Sequence, residues 1–242
     1  MGSTRLPDKV LREAAGRPLL QHLLGRLERC ESLDCLVVAT TTEARDDAIA
    51  ELCERLGVLV YRGSEEDVLD RHHQAAQRFG LDVIVRVTSD CPLVDPELID
   101  PWVDVFVSRR HELDLVTNRH PPSFIDGLDF DVMSRESLEF VWRNAKEPRH
   151  REHTVPYFWD SGMRVLNFED PDRGFWRHRW TLDYPEDFEL IRRIIEALGG
   201  SGFFGTRTIL DYLARHPDVA RINARYLPAE PTNQPAGAVG SA

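Results

Sequence analysis

The chain of 242 residues carries a formal net charge of −11 at pH 7, and 42% of its residues are hydrophobic and 29% charged. A chain of this size and composition can bury one sizeable core, and its negative charge repels nucleic acid and anionic lipid. No apolar run approaches the roughly 18 residues that a membrane span requires. These properties argue against a general nucleic-acid binder and against a membrane segment.

The cysteines and the first residues indicate in which cellular compartment the protein is expected. The four cysteines show neither a C-x-x-C pair nor the spacing of a metal site. The first residues are polar and basic, which is not the composition of a signal peptide. We therefore expect reduced thiols and a cytoplasmic location.

Helical and strand patterns alternate through the first part of the chain. The patterns predict, in order, a helix over 19–30, a strand over 35–40, a helix over 43–57, a strand over 58–61, a helix over 65–80 and a strand over 82–88. Gly57 and Gly80 mark the ends of two of these helices. Such alternation favours an α/β fold with a doubly wound, mostly parallel sheet that has helices on both faces.

The pattern changes after residue 90. It predicts a helix over 95–110, strands over 114–118 and 127–134, a helix over 135–145, strands over 163–168 and 178–182, and helices over 185–198 and 209–217. We expect a mixed edge or a β-ribbon extension of the sheet over 115–170. Residues 1–226 are expected to form one domain, and 227–242 a disordered tail, because the tail has too little apolar content to pack.

The N-terminal run GSTRLPDK has the composition of a phosphate-binding loop. Gly2 and Ser3 let backbone N–H groups approach an anion closely, while Arg5 and Lys9 add positive charge. Lys9 is one of only two lysines in the chain, so it invites a specific explanation. The run lacks the pattern of a Walker loop, and a basic N-terminal coil is the alternative interpretation.

Two aspartates follow predicted strands. Asp90 comes after the strand over 82–88, and Asp183 after the strand over 178–182. Open α/β sheets bind ligands at the carboxyl ends of their strands, and two carboxylates there can hold Mg²⁺. The alternative for Asp90 is a structural one, in which it caps the turn that Pro92 imposes.

The histidines have no zinc-like spacing, but one of them stands four residues before a tyrosine. On a helix, His153 and Tyr157 would share a face. A packed pair of side chains without a ligand is the alternative interpretation.

Seven segments of the chain, taken in order, resemble the cytidylyltransferases that activate acidic sugars. They are GSTRLPDKVL, VVATTTEARDDAIAELC, RGSEEDVLDRH, RVTSDCPLVDPELID, GLDFDVMSRESLE, REHTVPYF and HRWTLDYPEDFELI. The likeness is closest to the spore-coat polysaccharide branch, with acylneuraminate and 3-deoxy-manno-octulosonate cytidylyltransferases as more distant relatives. It covers about residues 2–195. The resemblance implies a Rossmann-type fold like that of the nucleotide-diphospho-sugar transferases.

The resemblance also implies where CTP binds. The glycine-rich start would bind the triphosphate, with Arg5 and Lys9 on its phosphates. Arg62 and Ser64 fall where relatives approach the nucleotide.

The remaining implied roles concern the metal and the sugar. Asp90 and Asp183 match the family's Mg²⁺ ligands, and His153 and Tyr157 repeat a spacing that lies beside the sugar acid in the octulosonate enzymes. The implied reaction is attack of a sugar hydroxyl on the α-phosphorus of CTP, which gives a CMP-sugar and pyrophosphate. A homodimer is also implied. A nucleotidyltransferase acting on a sugar 1-phosphate or using another NTP, and a catalytically silent scaffold, are the alternatives.

Relatives carry a hydrophobic strand and an Ala-Arg pair before the run that begins this chain. The resemblance thus implies that the first strand of the fold is missing here. Burial of three or four large side chains is worth about 5–12 kcal/mol, similar to the total stability of a domain. We hypothesise that the gene product starts upstream, and equal solubility and turnover of the two forms would refute this.

Overall fold

The computed structural model describes residues 5–170, 177–199 and 202–227. The predictions made for Gly2 and Ser3, and for the tail from residue 228 onward, lie outside the described residues. Within these ranges no helix has both the length and the apolar character needed to cross a bilayer.

Within the described residues, the seven predicted helices occur in the predicted order, together with three short α-helices that were not predicted. They are α1 Leu19–Leu27, α2 Asp47–Leu56, α3 Val68–Phe79, α4 Pro96–Ser108, α5 Arg135–Asn144, α6 Pro148–His153, α7 Pro156–Asp160, α8 Pro185–Leu198, α9 Thr206–Arg215 and α10 Pro217–Ala220. Gly57 and Gly80 end α2 and α3 with φ of 72° and 65°, a conformation that glycine adopts without strain. Their predicted positions as helix ends are confirmed.

The strands form three sheets within the described residues. They are β1 Glu13–Ala14, β2 Arg17–Pro18, β3 Val37–Thr41, β4 Leu59–Gly63, β5 Val83–Arg86, β6 Leu115–Thr117, β7 Asp131–Ser134 and β8 Val165–Asn167. β1 and β2 form a short hairpin, and β3 pairs in parallel with β4. The largest sheet has the order β5-β7-β6-β8, in which β7 is antiparallel to both neighbours and β6 is parallel to β8. In the described part of the chain, β3 and β4 pair only with each other, and β5 pairs only with β7.

The α/β class and the mixed edge over 115–170 are confirmed. The strand predicted over 178–182 is wrong, because this segment makes a single bridge, between Arg179 and Asp126, instead of a ladder. Its backbone is pinned at isolated points: the Trp180 N–H donates to the Asp126 carbonyl at 2.7 Å, and the Leu182 N–H to the Asp90 carbonyl at 2.9 Å. An extended segment held between two loops thus replaces the expected strand.

A close approach at Gly127 fixes this extended segment. Gly127 has φ of 109°, and a Cβ built on it would lie 2.4 Å from the carbonyl carbon of Trp180. Trp180 itself is fully buried in a cluster of apolar side chains with Leu19 and Ile191. The 126–127 turn therefore packs directly on the backbone that leads to Asp183.

Candidate active site

Lys9 and the two predicted strand-end acids meet in space. The Lys9 ammonium donates to Asp90 Oδ2 at 3.3 Å and to Asp183 Oδ1 at 3.0 Å. The three side chains are 18%, 29% and 25% exposed, so the cluster is half-buried and still open to a ligand. Residues from the start, the middle and the later part of the chain thus form one group, called here the acid cluster.

The carboxylate of Asp183 is ionised in this setting. Burial alone would raise the pKa of Asp183, but the hydrogen bonds and charges of Lys9 and Arg179 outweigh burial and hold it below its ordinary value. The turn at Asp90 is closed by backbone hydrogen bonds, Cys91 N–H to Thr88 O and Val94 N–H to Cys91 O, both at 3.1 Å. Among the described residues, the donors to the Asp90 carboxylate are Lys9 and the Cys91 thiol. Its side chain is thus free of the backbone capping that the structural alternative required.

Arg5 lies next to the acid cluster. Its Nη1 donates to the Tyr184 hydroxyl at 3.0 Å, and its guanidinium carbon lies 4.9 Å from the centre of the Tyr184 ring. Because Tyr184 follows Asp183 directly, these contacts hold a second cation at the edge of the cluster.

The predicted nucleotide residues lie at the ends of β3 and β4. Arg62 donates from Nε to the Thr41 carbonyl at 2.8 Å and from Nη2 to the Glu43 carbonyl at 3.0 Å, and it pairs with Asp47 at 2.7 Å. Ser64 is exposed, and its hydroxyl accepts the Asp67 N–H at 3.0 Å. Both therefore shape the loops at these strand ends, and neither contacts the acid cluster directly in the described ranges.

A cavity of about 170 Å³ joins these strand ends to Lys9. Its polar lining consists of Lys9, Thr40, Thr41, Asp46, Arg71 and Ser89. Asp46 is nearly fully buried and accepts hydrogen bonds from the hydroxyls of Thr40 at 3.0 Å and Thr41 at 2.5 Å. The cavity thus presents cations and hydroxyls beside Lys9. Sequence reasoning missed Arg71, because one arginine on a helix carries no pattern.

The interpretation of His153 and Tyr157 as a pair on one helix face is wrong. α6 ends at His153, and Thr154 follows with φ of 65° and ψ of −62°, while Val155 N–H donates to His153 O at 2.7 Å. This is a γ-turn of the rare, strained kind, and it separates α6 from α7. His153 is exposed, whereas the Tyr157 ring meets the His150 ring edge-on with centroids 5.3 Å apart. Pro156 was a signal in the sequence for the start of a new helix, because proline is favoured in the first turn, and it stands there in α7.

A second group of acids lies on the segment that leads into β7 and at the start of this strand. Asp131 is fully buried and accepts from Thr117 Oγ1 at 2.7 Å and Arg86 Nη1 at 2.9 Å. Burial raises the pKa of Asp129 to about 7; the charge of Arg119 opposes the rise, and the charges of Asp126 and Asp131 add to it. Sequence reasoning missed Asp129. Its signal was the alternation of GLDFDV, in which two acids share one side of an apolar segment.

Arg179 is a further residue that sequence reasoning missed. Its Nη2 donates to Asp183 Oδ2 at 2.8 Å, opposite the oxygen that faces Lys9. No group of three or more His, Cys, Asp or Glu side chains with the arrangement of a metal site occurs among the residues described. What the acid cluster offers is two carboxylates and the cations around them.

Residues 1–197 match the model of the cytidylyltransferase family. The chain is 33% identical over 228 residues to the spore coat polysaccharide biosynthesis protein SpsF of Bacillus subtilis, a match that covers 91% of this chain and 93% of that protein. It is 30% identical over 173 residues to the 3-deoxy-manno-octulosonate cytidylyltransferase of Acidovorax sp., covering 66% of this chain and 62% of that enzyme.

A solved structure agrees with these relatives. The structure of a cytidylyltransferase from Leptospira borgpetersenii superposes with a TM-score of 0.86 at 31% identity, covering 91% of this chain and 92% of the other. The chain belongs to the cytidylyltransferase family, and it is a nucleotidyltransferase.

Proposed function

We propose that this member of the cytidylyltransferase family transfers CMP from CTP to a hydroxyl of an acidic sugar and releases pyrophosphate. The observation that carries the proposal is the acid cluster, in which the Lys9 ammonium lies within 3.3 Å of both the Asp90 and the Asp183 carboxylate. Charged side chains from three distant parts of the chain that gather at a half-open site are typical of sites that act on a charged ligand.

The carboxylates of the acid cluster fit a Mg²⁺ ion. One oxygen of Asp90 and one of Asp183 already face a single cation, and Mg²⁺ is commonly bound by one or two carboxylates together with substrate phosphates and water. Asp90 and Asp183 would hold the ion, which when bound supplies positive charge to the triphosphate. Lys9 and Arg5 place further positive charge on the same side and would contact phosphate oxygens.

In this reaction the protein positions the two substrates and neutralises the charge of the phosphates, and it supplies no covalent nucleophile. The nearest thiol agrees with this. Burial raises the pKa of Cys91 well above its ordinary value, so the thiol beside Asp90 stays protonated. The group that attacks the α-phosphorus is thus the sugar hydroxyl, and the α-phosphorus bond to pyrophosphate is the one that breaks.

The names of two relatives support an acidic sugar and a role in surface polysaccharide synthesis. The relatives reported above include a spore coat polysaccharide biosynthesis protein and a 3-deoxy-manno-octulosonate cytidylyltransferase. The α6–α7 turn, residues 148–160, carries His153 and Tyr157, which we assign to the sugar acid. We extend the proposal to a homodimer, which light scattering on the purified protein would test.

The test is pyrophosphate release with each nucleotide. We expect release from CTP in the presence of Mg²⁺ and one member of a panel of nonulosonic and octulosonic acids, and none with EDTA. UTP, ATP, GTP and a panel of sugar 1-phosphates form the other arms. Release with UTP or with a sugar 1-phosphate in place of the acid would contradict the proposal, and failure to bind CTP would favour a scaffold.

Variants of the acid cluster sharpen the same assay. Asp90→Asn and Asp183→Asn should each lower turnover about 100-fold or more, because each removes one charged ligand of the ion. Asp104→Asn is the matched control, since Asp104 is an exposed carboxylate on α4. Wild-type turnover in both cluster variants would leave these acids with a structural role only.

A further inference from the structure

The two carboxylate oxygens of Asp183 accept hydrogen bonds from two different cations, Arg179 and Lys9. Its Nη2 donates to Asp183 Oδ2 at 2.8 Å, while Lys9 donates to Oδ1 at 3.0 Å. The Arg179 side chain is only 12% exposed. The donors of a planar guanidinium have a rigid geometry, and the largely buried Arg179 can therefore fix the direction of the Asp183 carboxylate.

Asp187 holds both Arg179 and the backbone beside Asp183. The carboxylate of Asp187 is fully buried and accepts Arg179 Nε at 3.3 Å through Oδ1. Its Oδ2 accepts the backbone N–H groups of Asp183 at 3.1 Å and Tyr184 at 3.0 Å. Arg179 Nη1 also donates to Asp126. Three carboxylates thus surround one guanidinium, and removal of that charge would leave them to repel each other.

Asn223 closes this network from the C-terminal part of the chain. It is 1% exposed, and its amide donates to Asp187 Oδ1 and to the Arg179 carbonyl, both at 2.8 Å. Nearby, the rings of Tyr226 and Tyr184 stack with centroids 3.8 Å apart. Asn223 lies outside residues 1–197, the part that matches the family model. A segment beyond the matched region therefore reaches the support of the acid cluster.

We propose that Arg179 and Asn223 are positioning residues for the nucleotidyl transfer. Asn223 holds Asp187 and the backbone of Arg179, and Arg179 holds the Asp183 carboxylate with Oδ1 turned toward Lys9 and the ligand. The proposal rests on the proposed function of Asp183. It adds that a residue of the C-terminal segment helps to hold the carboxylate that would bind the metal ion.

Three substitutions at two positions test the network. Arg179→Lys keeps one positive charge but replaces the planar guanidinium by a compact ammonium, which cannot reproduce the fixed spacing of the arginine donors. Asn223→Ala removes the buried amide without touching the acid cluster, and Asn223→Ser restores a single donor. Arg221→Ala is the matched control, because Arg221 is exposed and lies two residues away.

Metal binding is the readout that separates positioning from general damage. Mn²⁺ affinity is measured by electron paramagnetic resonance with a non-hydrolysable CTP analogue bound, beside turnover at varied Mg²⁺. We expect Arg179→Lys and Asn223→Ala to weaken Mn²⁺ binding about 10- to 100-fold and to raise the Mg²⁺ requirement by the same factor. The KM for CTP at saturating Mg²⁺ should stay near the wild-type value, Asn223→Ser should recover part of the loss, and Arg221→Ala should behave as wild type.

The outcomes distinguish this proposal from the proposed function. Wild-type Mn²⁺ affinity in Asn223→Ala, or lower turnover without a change in that affinity, would overturn the positioning role while Asp183→Asn still abolished binding. Wild-type behaviour of Asp183→Asn would overturn the metal role of Asp183 and this proposal with it. If Arg179→Lys fails to fold, the Asn223 pair decides.

Discussion

The acid cluster and the α6–α7 turn position candidate functional residues in opposite ways. The acid cluster is assembled from distant segments, and a backbone hydrogen bond from Leu182 N–H to Asp90 O at 2.9 Å joins two of them. The α6–α7 turn is local, and its geometry is decided by one residue, Thr154, with φ of 65°. Long-range packing therefore brings together two acids whose positions after predicted strands had indicated a shared site. In the α6–α7 turn, by contrast, one strained residue breaks the helix on which the predicted pairing of His153 and Tyr157 depended.

The substitution with the largest expected effect on stability tests the packing that positions the backbone before Asp183. Gly127→Ala should lower the free energy of unfolding by about 3 kcal/mol or more, because the new Cβ would meet the Trp180 carbonyl carbon at 2.4 Å and φ is 109°. Urea denaturation measures the change. Gly57→Ala is the matched control, since Gly57 also has positive φ, 72°, but open space around it, and it should cost only about 1–2 kcal/mol. Equal costs at the two positions would contradict the close packing of the 126–127 turn.

The next largest expected effect is on the KM for the acidic sugar, and it tests the roles assigned to the α6–α7 turn. His153→Ala and Tyr157→Phe should each raise the KM for the acidic sugar about tenfold, the value of one hydrogen bond, with the KM for CTP unchanged. His111→Ala is the control, because His111 is an exposed histidine outside the turn.

The double variant sharpens this test. Because the γ-turn places His153 and Tyr157 on different helices, their effects should add to about 100-fold. A double variant no worse than either single one would mean that the two side chains act as one unit after all.

The sequence revealed most of the fold because the longer helices carried their own periodicity, whereas α6, α7 and α10 are too short to show one. Asp90 and Asp183 could be predicted because each follows a segment with the pattern of a strand. The outcome for 178–182 could not be foreseen, since an extended segment has the same sequence pattern whether its N–H groups join a ladder or bind isolated carbonyls. Arg179 and Asn223 escaped prediction because their partners are fixed only by tertiary packing: the Asn223 amide and Asp187 lie 36 positions apart. Local patterns carry no trace of such a pairing.

The smallest expected effect is a pH dependence at the border of the acid cluster. Burial raises the pKa of Asp129 to about 7 against an ordinary value of 3.8, opposed by Arg119 and assisted by Asp126, Asp131 and Asp90. The folded state therefore binds a proton that the unfolded state has lost between these values, so stability is greatest at the acid end and falls as pH rises toward 7. From pH 6 to pH 8 the wild type should lose about 1 kcal/mol that Asp129→Asn keeps. Urea denaturation at both pH values measures this, and curves for wild type, Asp129→Asn and the Asp104→Asn control that run parallel would show that Asp129 is ionised in the folded protein at both pH values.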